Sequence, residues 1–249
     1  KEALKYFKYN LEDFYGIELI STASVPSGSG LGSSAAFTCS LVQCLSYHLY
    51  NKIIDEKELL MLSTSIEHLS GNDQIGYQDQ VASIYGGITS AEYSENNIDI
   101  QKPSSQWEKG IVELIESRGY LYKTGSRKGI SSNYIHNQAL VRKLDKYNKI
   151  LELTEKVDIS KDKFDESKII RLLKDASLVA QSTKERTPEI ESIESQLRSL
   201  GAIYCKQLGA GGGGFIFSIF DSENPKIPNE LKSNMIRPVI NDKGISIIF

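Results

Sequence analysis

Between Val25 and Ala36 the chain reads Val25-Pro26-Ser27-Gly28-Ser29-Gly30-Leu31-Gly32-Ser33-Ser34-Ala35-Ala36. Three glycines in five positions, Gly28, Gly30 and Gly32, let successive backbone N–H groups converge without Cβ clashes. Where a helix follows such a loop, its own unpaired N–H groups and positive dipole end add to the same site. That combination suits an anion, and above all a phosphate. Ser33 and Ser34 bring hydroxyls that can meet a phosphate oxygen or a metal ion held by one. The same letters also fit a plain turn with a serine N-cap. The stretch has neither a Gly-Lys-Ser/Thr ending nor G-x-G-x-x-G spacing, so it is neither a Walker loop nor a Rossmann turn. A second run, Gly209-Ala210-Gly211-Gly212-Gly213-Gly214, puts five glycines in six positions, too many for a simple hairpin turn. Close backbone approach explains it, to a ligand or to another part of the protein. Among the acidic residues between these runs are Glu67 and Asp79. On residue type alone, the first reads as a solvated helix glutamate and the second as a turn residue or helix cap.

The flanking periodicities supply the elements that must position these residues. Gly16 to Ser24 places Ile17, Leu19 and Ala23 at every-other spacing, a strand pattern, while Leu41, Val42, Leu45 and Leu49 within Phe37 to Tyr50 have helical spacing. The first glycine loop therefore joins a strand to a helix. Ahead of it, Leu4, Phe7, Leu11 and Phe14 predict an amphipathic helix over residues 1–14. Asp55 is placed to cap a helix from Glu56 to about Leu69, and the polar, glycine-punctuated segment Ser70 to Gln80 runs into a short helix that ends at Gly86-Gly87 before a strand, Ile88 to Tyr93. Around Ile100 to Gly119 the composition shifts, with Pro103, Ser104 and Ser105 breaking the pattern, so a domain boundary is expected there. Beyond it come a strand, Tyr120 to Lys123, a loop from Thr124 to Gly129, and helices over about 133–157 and 165–184. Thr187 as N-cap, Pro188 at the first helical position and Gly201 past the end delimit a further helix. Strands follow at Ala202 to Leu208 and Phe215 to Phe220, and Ile236 to Ile240 with Ile245 to Phe249 predict a terminal hairpin around Asn241 to Gly244. Strands and helices mix without strict alternation, which predicts α+β layers rather than a doubly wound sheet.

The 249 residues, 40% hydrophobic and 24% charged, suffice for one large or two small domains with a real core. A net charge of −3 gives no overall pull toward nucleic acid, and no like-charge block forms a tail. The longest apolar run, Phe215 to Phe220, is far short of the roughly 20 residues of a membrane span, so no membrane is expected as partner. The start, from Lys1 to Leu4, lacks the apolar core of a signal peptide. Cys39, Cys44 and Cys205 are odd in number and read as buried free thiols of a reducing, cytoplasmic compartment. His48, His68 and His136 are scattered and show no metal-ligand spacing.

From Pro26 to Ala36 the chain resembles, residue for residue, the P-x-x-x-G-L-G-S-S-A-A motif of the GHMP kinases, the galactokinase, homoserine kinase and mevalonate kinase family. Lys206 to Gly214 resembles that family's third motif, K-x-x-G-A-G-G-G-G, and Gly76-Tyr77-Gln78-Asp79-Gln80 its sugar-kinase G-x-x-D-Q segment. Within the family, Ile84 to Gly87, Tyr122 to Gly125 with Arg127, and Ser182 to Arg186 are most similar to the D-glycero-D-manno-heptose 7-phosphate kinase group, with L-fucose kinases as near relatives. The resemblance implies an α+β, two-domain GHMP kinase fold. A ribosomal protein S5 domain 2-like N-terminal domain that binds ATP would span residues 1–115, and a ferredoxin-like C-terminal domain residues 116–249. The family opens with a strand and a first motif that lie ahead of Lys1, so the N-terminal strands are expected to be absent from this chain.

It also implies roles. Pro26, Gly28, Gly30, Leu31, Gly32, Ser33, Ser34 and Ala35 would bind the nucleotide, and Ser34, or Ser33 in its place, with Glu67 would hold Mg²⁺. Asp79 would accept the proton of the attacking hydroxyl, a modest demand because phosphoryl transfer depends mainly on positioning and charge neutralisation. Gly209, Gly211, Gly212 and Gly213 would close beside the phosphate loop, while Gln78, Thr124, Gly125, Arg127 and Lys184 would meet the sugar and its phosphate. The implied cofactors are ATP and Mg²⁺. The implied partner is a small-molecule sugar phosphate phosphorylated at its anomeric hydroxyl, and a homodimer stays open. Another acceptor (fucose, galactose or mevalonate) and a nucleotide-binding sensor that has lost catalysis are the competing readings.

Overall fold

The structure is a computed structural model that describes residues 2–8, 18–26, 28–70, 76–94, 97–125, 148–149, 151–159, 163–181, 187–209 and 213–248. Its contacts divide it into two compact units. The first takes residues 1–27, 32–91 and 241–249, and the second residues 28–31 and 92–240. This division by contacts departs from the expected one at 115/116. It falls near residue 92, returns the C-terminal segment to the first unit, and assigns the tip of the glycine loop to the second.

The first unit is helical: α1 (Glu2–Tyr6), α2 (Ser33–Tyr50), α3 (Glu56–Leu69) and α4 (Gln78–Tyr85). Asp55 caps α3 as its letters imply, its Oδ1 accepting from the Lys57 and Glu58 N–H groups. Helix α2 packs on α3 and α4. Between them Cys39, Val42, Leu45, Leu59, Leu60, Ile66, Val81 and Ile84 are buried. Each large side chain buried this way contributes about 1.5–3 kcal/mol. The Tyr50 hydroxyl donates to the Phe7 carbonyl oxygen and anchors the residues after α1.

Two expectations fail in this unit. The alternation over Gly16 to Ser24 produces no strand among the described residues 18–24, where Leu19 and Ile20 are exposed. Alternation specifies a face, and it becomes a strand only where a neighbouring strand completes the hydrogen-bond ladder. The terminal hairpin is also absent among the described residues. Asn241 accepts a hydrogen bond from the Gly87 N–H, and Gly244 lies so close to the end of α4 that a Cβ there would meet the Ile84 carbonyl. The segment thus uses its backbone against a helix end rather than against itself. Cys44 is exposed whereas Cys39 and Cys205 are buried, so the expectation of buried thiols holds for two of the three.

The second unit is built on an antiparallel sheet in the order β4 (Ala202–Gln207), β5 (Gly214–Phe220), β3 (Gly119–Gly125) and β6 (Met235–Ile236). Its core joins Tyr122, Ile216, Phe220, Cys205 and Ala202 of the sheet to Ile190, Ile193 and Leu197 of the helix Pro188–Ser199. Ala202 and Cys205 share a face despite their odd spacing because the register shifts between Ala202 and Tyr204. That helix begins as its letters predict, with the Thr187 hydroxyl accepting from the Ile190 N–H. A second small sheet pairs β1 (Ser90–Tyr93) with β2 (Ile98–Gln101).

The stretch in which the boundary is expected forms a helix, α5 (Ser105–Arg118), which packs on β3 and β5. Ser104 is its N-cap, and Trp107, Ile111 and Leu114 are its buried stripe. Pro103 and the two serines are the start signal of that helix, not the composition of a linker. Helix α6 (Glu166–Gln181) follows, then the Pro188–Ser199 helix, α7, and a single turn, α8 (Asn229–Lys232). The expected helix over 133–157 lies mostly outside the described residues, as do residues 182–186.

Candidate functional site

Helix α2 is the longest described helix, at 18 residues, and it starts without a side-chain cap. Its N-cap is Gly32, left-handed at φ 70°, and its first internal hydrogen bond runs from the Ala36 N–H to the Gly32 carbonyl. The N–H groups of Ser33, Ser34 and Ala35 therefore have no partner within the helix. In the same chain α3, α5 and α7 each receive a side-chain oxygen at this position. The bare start of α2 is what an anion-binding terminus requires.

Asp79 stands beside it. A Cβ built on Gly32 would lie 3.6 Å from the Asp79 Cβ and Cγ and 3.9 Å from Oδ2. Asp79 is exposed in the first turn of α4, and Gln78 next to it is exposed as well.

Behind this surface sits Glu67, only 3% exposed, in the last turn of α3. Its Oε1 accepts from the Ser34 hydroxyl at 2.6 Å and from the Thr38 hydroxyl at 3.2 Å, and its Oε2 accepts from Gln80 Nε2 at 2.6 Å. Ser34 and Thr38 are one helical turn apart on α2, so both hydroxyls face the same carboxylate. All three donors are neutral, and none of the ion pairs among the described residues involves Glu67. Carboxylate and hydroxyl oxygens of this kind are the donor set that a hard divalent cation takes. Ser34 and Glu67 come together as the motif implies. Thr38 and Gln80 are additions the sequence reading missed. The i, i+4 spacing of Ser34 and Thr38, and the place of Gln80 next to Asp79, were the signals in the letters.

In the second unit the tip of the first loop packs on the second glycine run, backbone against backbone. A Cβ on Gly30 would stand 2.8 Å from the Leu208 carbonyl oxygen and 3.1 Å from the Gly209 nitrogen. A Cβ on Gly214 would overlap the Ser29 carbonyl oxygen at 2.3 Å. The two runs are 180 residues apart in sequence, and only glycine allows the approach. Leu31 donates its N–H to the Ser29 hydroxyl, which tightens the loop, and Pro26 ahead of it is exposed. Thr124 ties the end of β3 to this place by donating to the Gly214 carbonyl oxygen, 3.1 Å away, so its hydroxyl already serves the sheet. Gly125 is exposed with no atom within 4 Å of a Cβ built there. Gly213 is buried and Gly209 is exposed. Gly28 is left-handed and half-buried. Arg127, Lys184, Gly211 and Gly212 lie outside the described residues.

Comparison with known proteins gives the family. The family described as GHMP kinases N terminal domain matches residues 1–87, and GHMP kinases C terminal matches residues 161–237. A mevalonate kinase of Pyrococcus horikoshii is 25% identical over 254 residues, which cover 93% of this chain and 70% of that protein. A D-glycero-alpha-D-manno-heptose 7-phosphate kinase of Campylobacter jejuni is 25% identical over 231 residues, covering 89% of this chain and 64% of that protein. Among solved structures, a D-glycero-D-manno-heptose 1-phosphate kinase from Bacteroides thetaiotaomicron superposes with a TM-score of 0.59 at 18% identity. It covers 100% of this chain and 75% of the other. The chain thus spans about two thirds of the length of the relatives it matches.

Proposed function

The chain belongs to the GHMP kinases, and from that premise we propose that it transfers the terminal phosphoryl group of ATP to the anomeric hydroxyl of D-glycero-D-manno-heptose 7-phosphate, giving the 1,7-bisphosphate. The observation that carries the reading is the bare start of α2 with a buried carboxylate hydrogen-bonded to its second residue. The N–H groups of Ser33, Ser34 and Ala35 bind the nucleotide's phosphates, helped by the positive end of α2. Asp79, which a Cβ on Gly32 would touch, orients the attacking hydroxyl and takes its proton. The backbone of Leu208, Gly209 and Gly214 lies against the loop tip, and any side chain at Gly30 or Gly214 would push the two apart.

Mg²⁺ takes oxygen ligands and needs few of them from protein. Ser34 Oγ and the Glu67 carboxylate fit that requirement, since Glu67 is buried and meets only neutral donors. Bound there with nucleotide, the ion neutralises charge on the phosphate oxygens. ATP as donor and three cysteines outside any disulfide go with a cytoplasmic setting.

Mevalonate is the second reading for the acceptor, because the mevalonate kinase of P. horikoshii matches at the same identity as the heptose kinase. Gly76 to Gln80 and the Tyr122 to Gly125 segment favour the heptose. A coupled ADP-release assay decides between them, run with heptose 7-phosphate, fucose, galactose or mevalonate and with no acceptor. Turnover with heptose 7-phosphate supports the proposal, and turnover with mevalonate alone replaces it. ATP binding without turnover on any acceptor points to a nucleotide sensor, and no ATP binding at all sinks the assignment.

A further inference from the structure

Gln80 is fully buried, and its amide is divided between two fates. Nε2 donates to Glu67 Oε2 at 2.6 Å, while Oε1 is buried with no hydrogen-bond partner. The amide cannot be turned over, because a carbonyl oxygen would then face a carboxylate oxygen. A buried carbonyl without a donor is destabilising, and an apolar side chain of the same length would remove that cost. The fold tolerates it where the donor at the other end of the amide is needed.

Glu67 Oε1 is held twice, by Ser34 and Thr38, whereas Gln80 is the donor on Oε2. Without Gln80, Oε2 loses its donor and only the two hydrogen bonds on Oε1 oppose rotation of the carboxylate about its last bond. Gln80 also follows Asp79 directly in the first turn of α4, while Glu67 is in the last turn of α3. One amide therefore links the helix that carries Asp79 to the carboxylate that meets Ser34.

We propose that Gln80 is a positioning residue for the cation site: it fixes the orientation of the Glu67 carboxylate and, through it, the register of Asp79 with the ion-binding oxygens. The proposal rests on the phosphotransfer reading above. It is tested on the full chain with Gln80→Met, and with Gln80→Leu as a second apolar variant. Mn²⁺ uptake in the presence of ADP is read from the loss of the free-ion electron paramagnetic resonance signal, alongside the melting temperature and ADP affinity without metal. The expected result is Mn²⁺ binding weakened at least about fivefold, metal-free ADP binding unchanged, and a melting temperature close to that of the wild type, because losing the donor on Glu67 Oε2 offsets removal of the orphaned Gln80 carbonyl. A purely structural residue gives the reverse, a lower melting temperature with Mn²⁺ affinity kept, and that outcome overturns the proposal. Loss of fold in both variants overturns it as well. Wild-type protein that takes up no Mn²⁺ with ADP rejects the phosphotransfer reading itself, whereas wild type and both variants binding alike rejects only the role of Gln80.

Discussion

Gly30 lies against Leu208 so closely that a Cβ on the glycine would sit 2.8 Å from the leucine's carbonyl oxygen. Gly30 is also left-handed, at φ 76°. Two glycine-built turns, one before α2 and one between β4 and β5, are therefore fitted to each other through bare backbone.

Gly30→Ala should destabilise the protein by more than the roughly 1–2 kcal/mol of a left-handed alanine, because backbone on both sides must move. Gly125→Ala is the control. Gly125 is also left-handed, at φ 98°, but among the described residues nothing lies within 4 Å of its Cβ position, so the conformational cost dominates. Urea denaturation of both variants measures the difference, and equal losses would remove the close approach from the explanation.

Asp79→Asn keeps the size of the side chain and removes its basicity. Turnover should fall about 10²- to 10⁴-fold, the usual contribution of a positioned base, with ATP affinity within about twofold of wild type. Steady-state kinetics and nucleotide titration check this, and near-normal turnover would reject the role given to Asp79.

In Glu67→Gln, one carboxylate oxygen becomes an NH₂ that must face a hydroxyl or amide already acting as donor. A stability loss of about 1–3 kcal/mol is expected from the mismatch, together with a large rise in the Mg²⁺ concentration needed for ADP release. Thermal melts and a Mg²⁺ titration of activity read the two effects separately. Stability loss with an unaltered Mg²⁺ requirement would make Glu67 structural only.

Burial, with a smaller contribution from Cys205, pushes the Tyr204 hydroxyl up to about 12. The ordinary tyrosine value is about 10. The folded state therefore holds its proton more tightly than the unfolded state. The stability this represents is fully present below about pH 10 and is lost as pH rises through about 12. Tyr204→Phe should remove that loss. The stability difference between wild type and variant is expected to be flat up to about pH 10 and then to move against the wild type. A difference that stays flat up to about pH 12 contradicts the assignment.

Helix starts were legible because capping is local. Asp55 and Thr187 announce α3 and α7 within three residues of where the hydrogen bonds form. Ser104 carried the same signal for α5, but Pro103 before it read as a linker. Strands were less legible. Residues 18–24 and 245–248 alternate or are apolar, yet neither forms a strand, because a strand exists only with its ladder partner. Lys123 and Phe215 do pair, and what makes them neighbours is a register across 92 residues of chain.

By itself the sequence determined the candidate chemistry: a glycine loop opening a helix, the carboxylates Glu67 and Asp79, and a second glycine run, all recognisable because their residue types and spacing are written in contiguous letters. Only the tertiary structure decided what each of them meets. Glu67 gathers Ser34, Thr38 and Gln80 from 33, 29 and 13 residues away, and the tip of the first loop rests on Leu208 and Gly214. Those meetings arise from the packing of α2 on α3 and α4 and of β4 on β5. Packing depends on how whole helix faces and strand registers fit, which no local stretch of residues encodes.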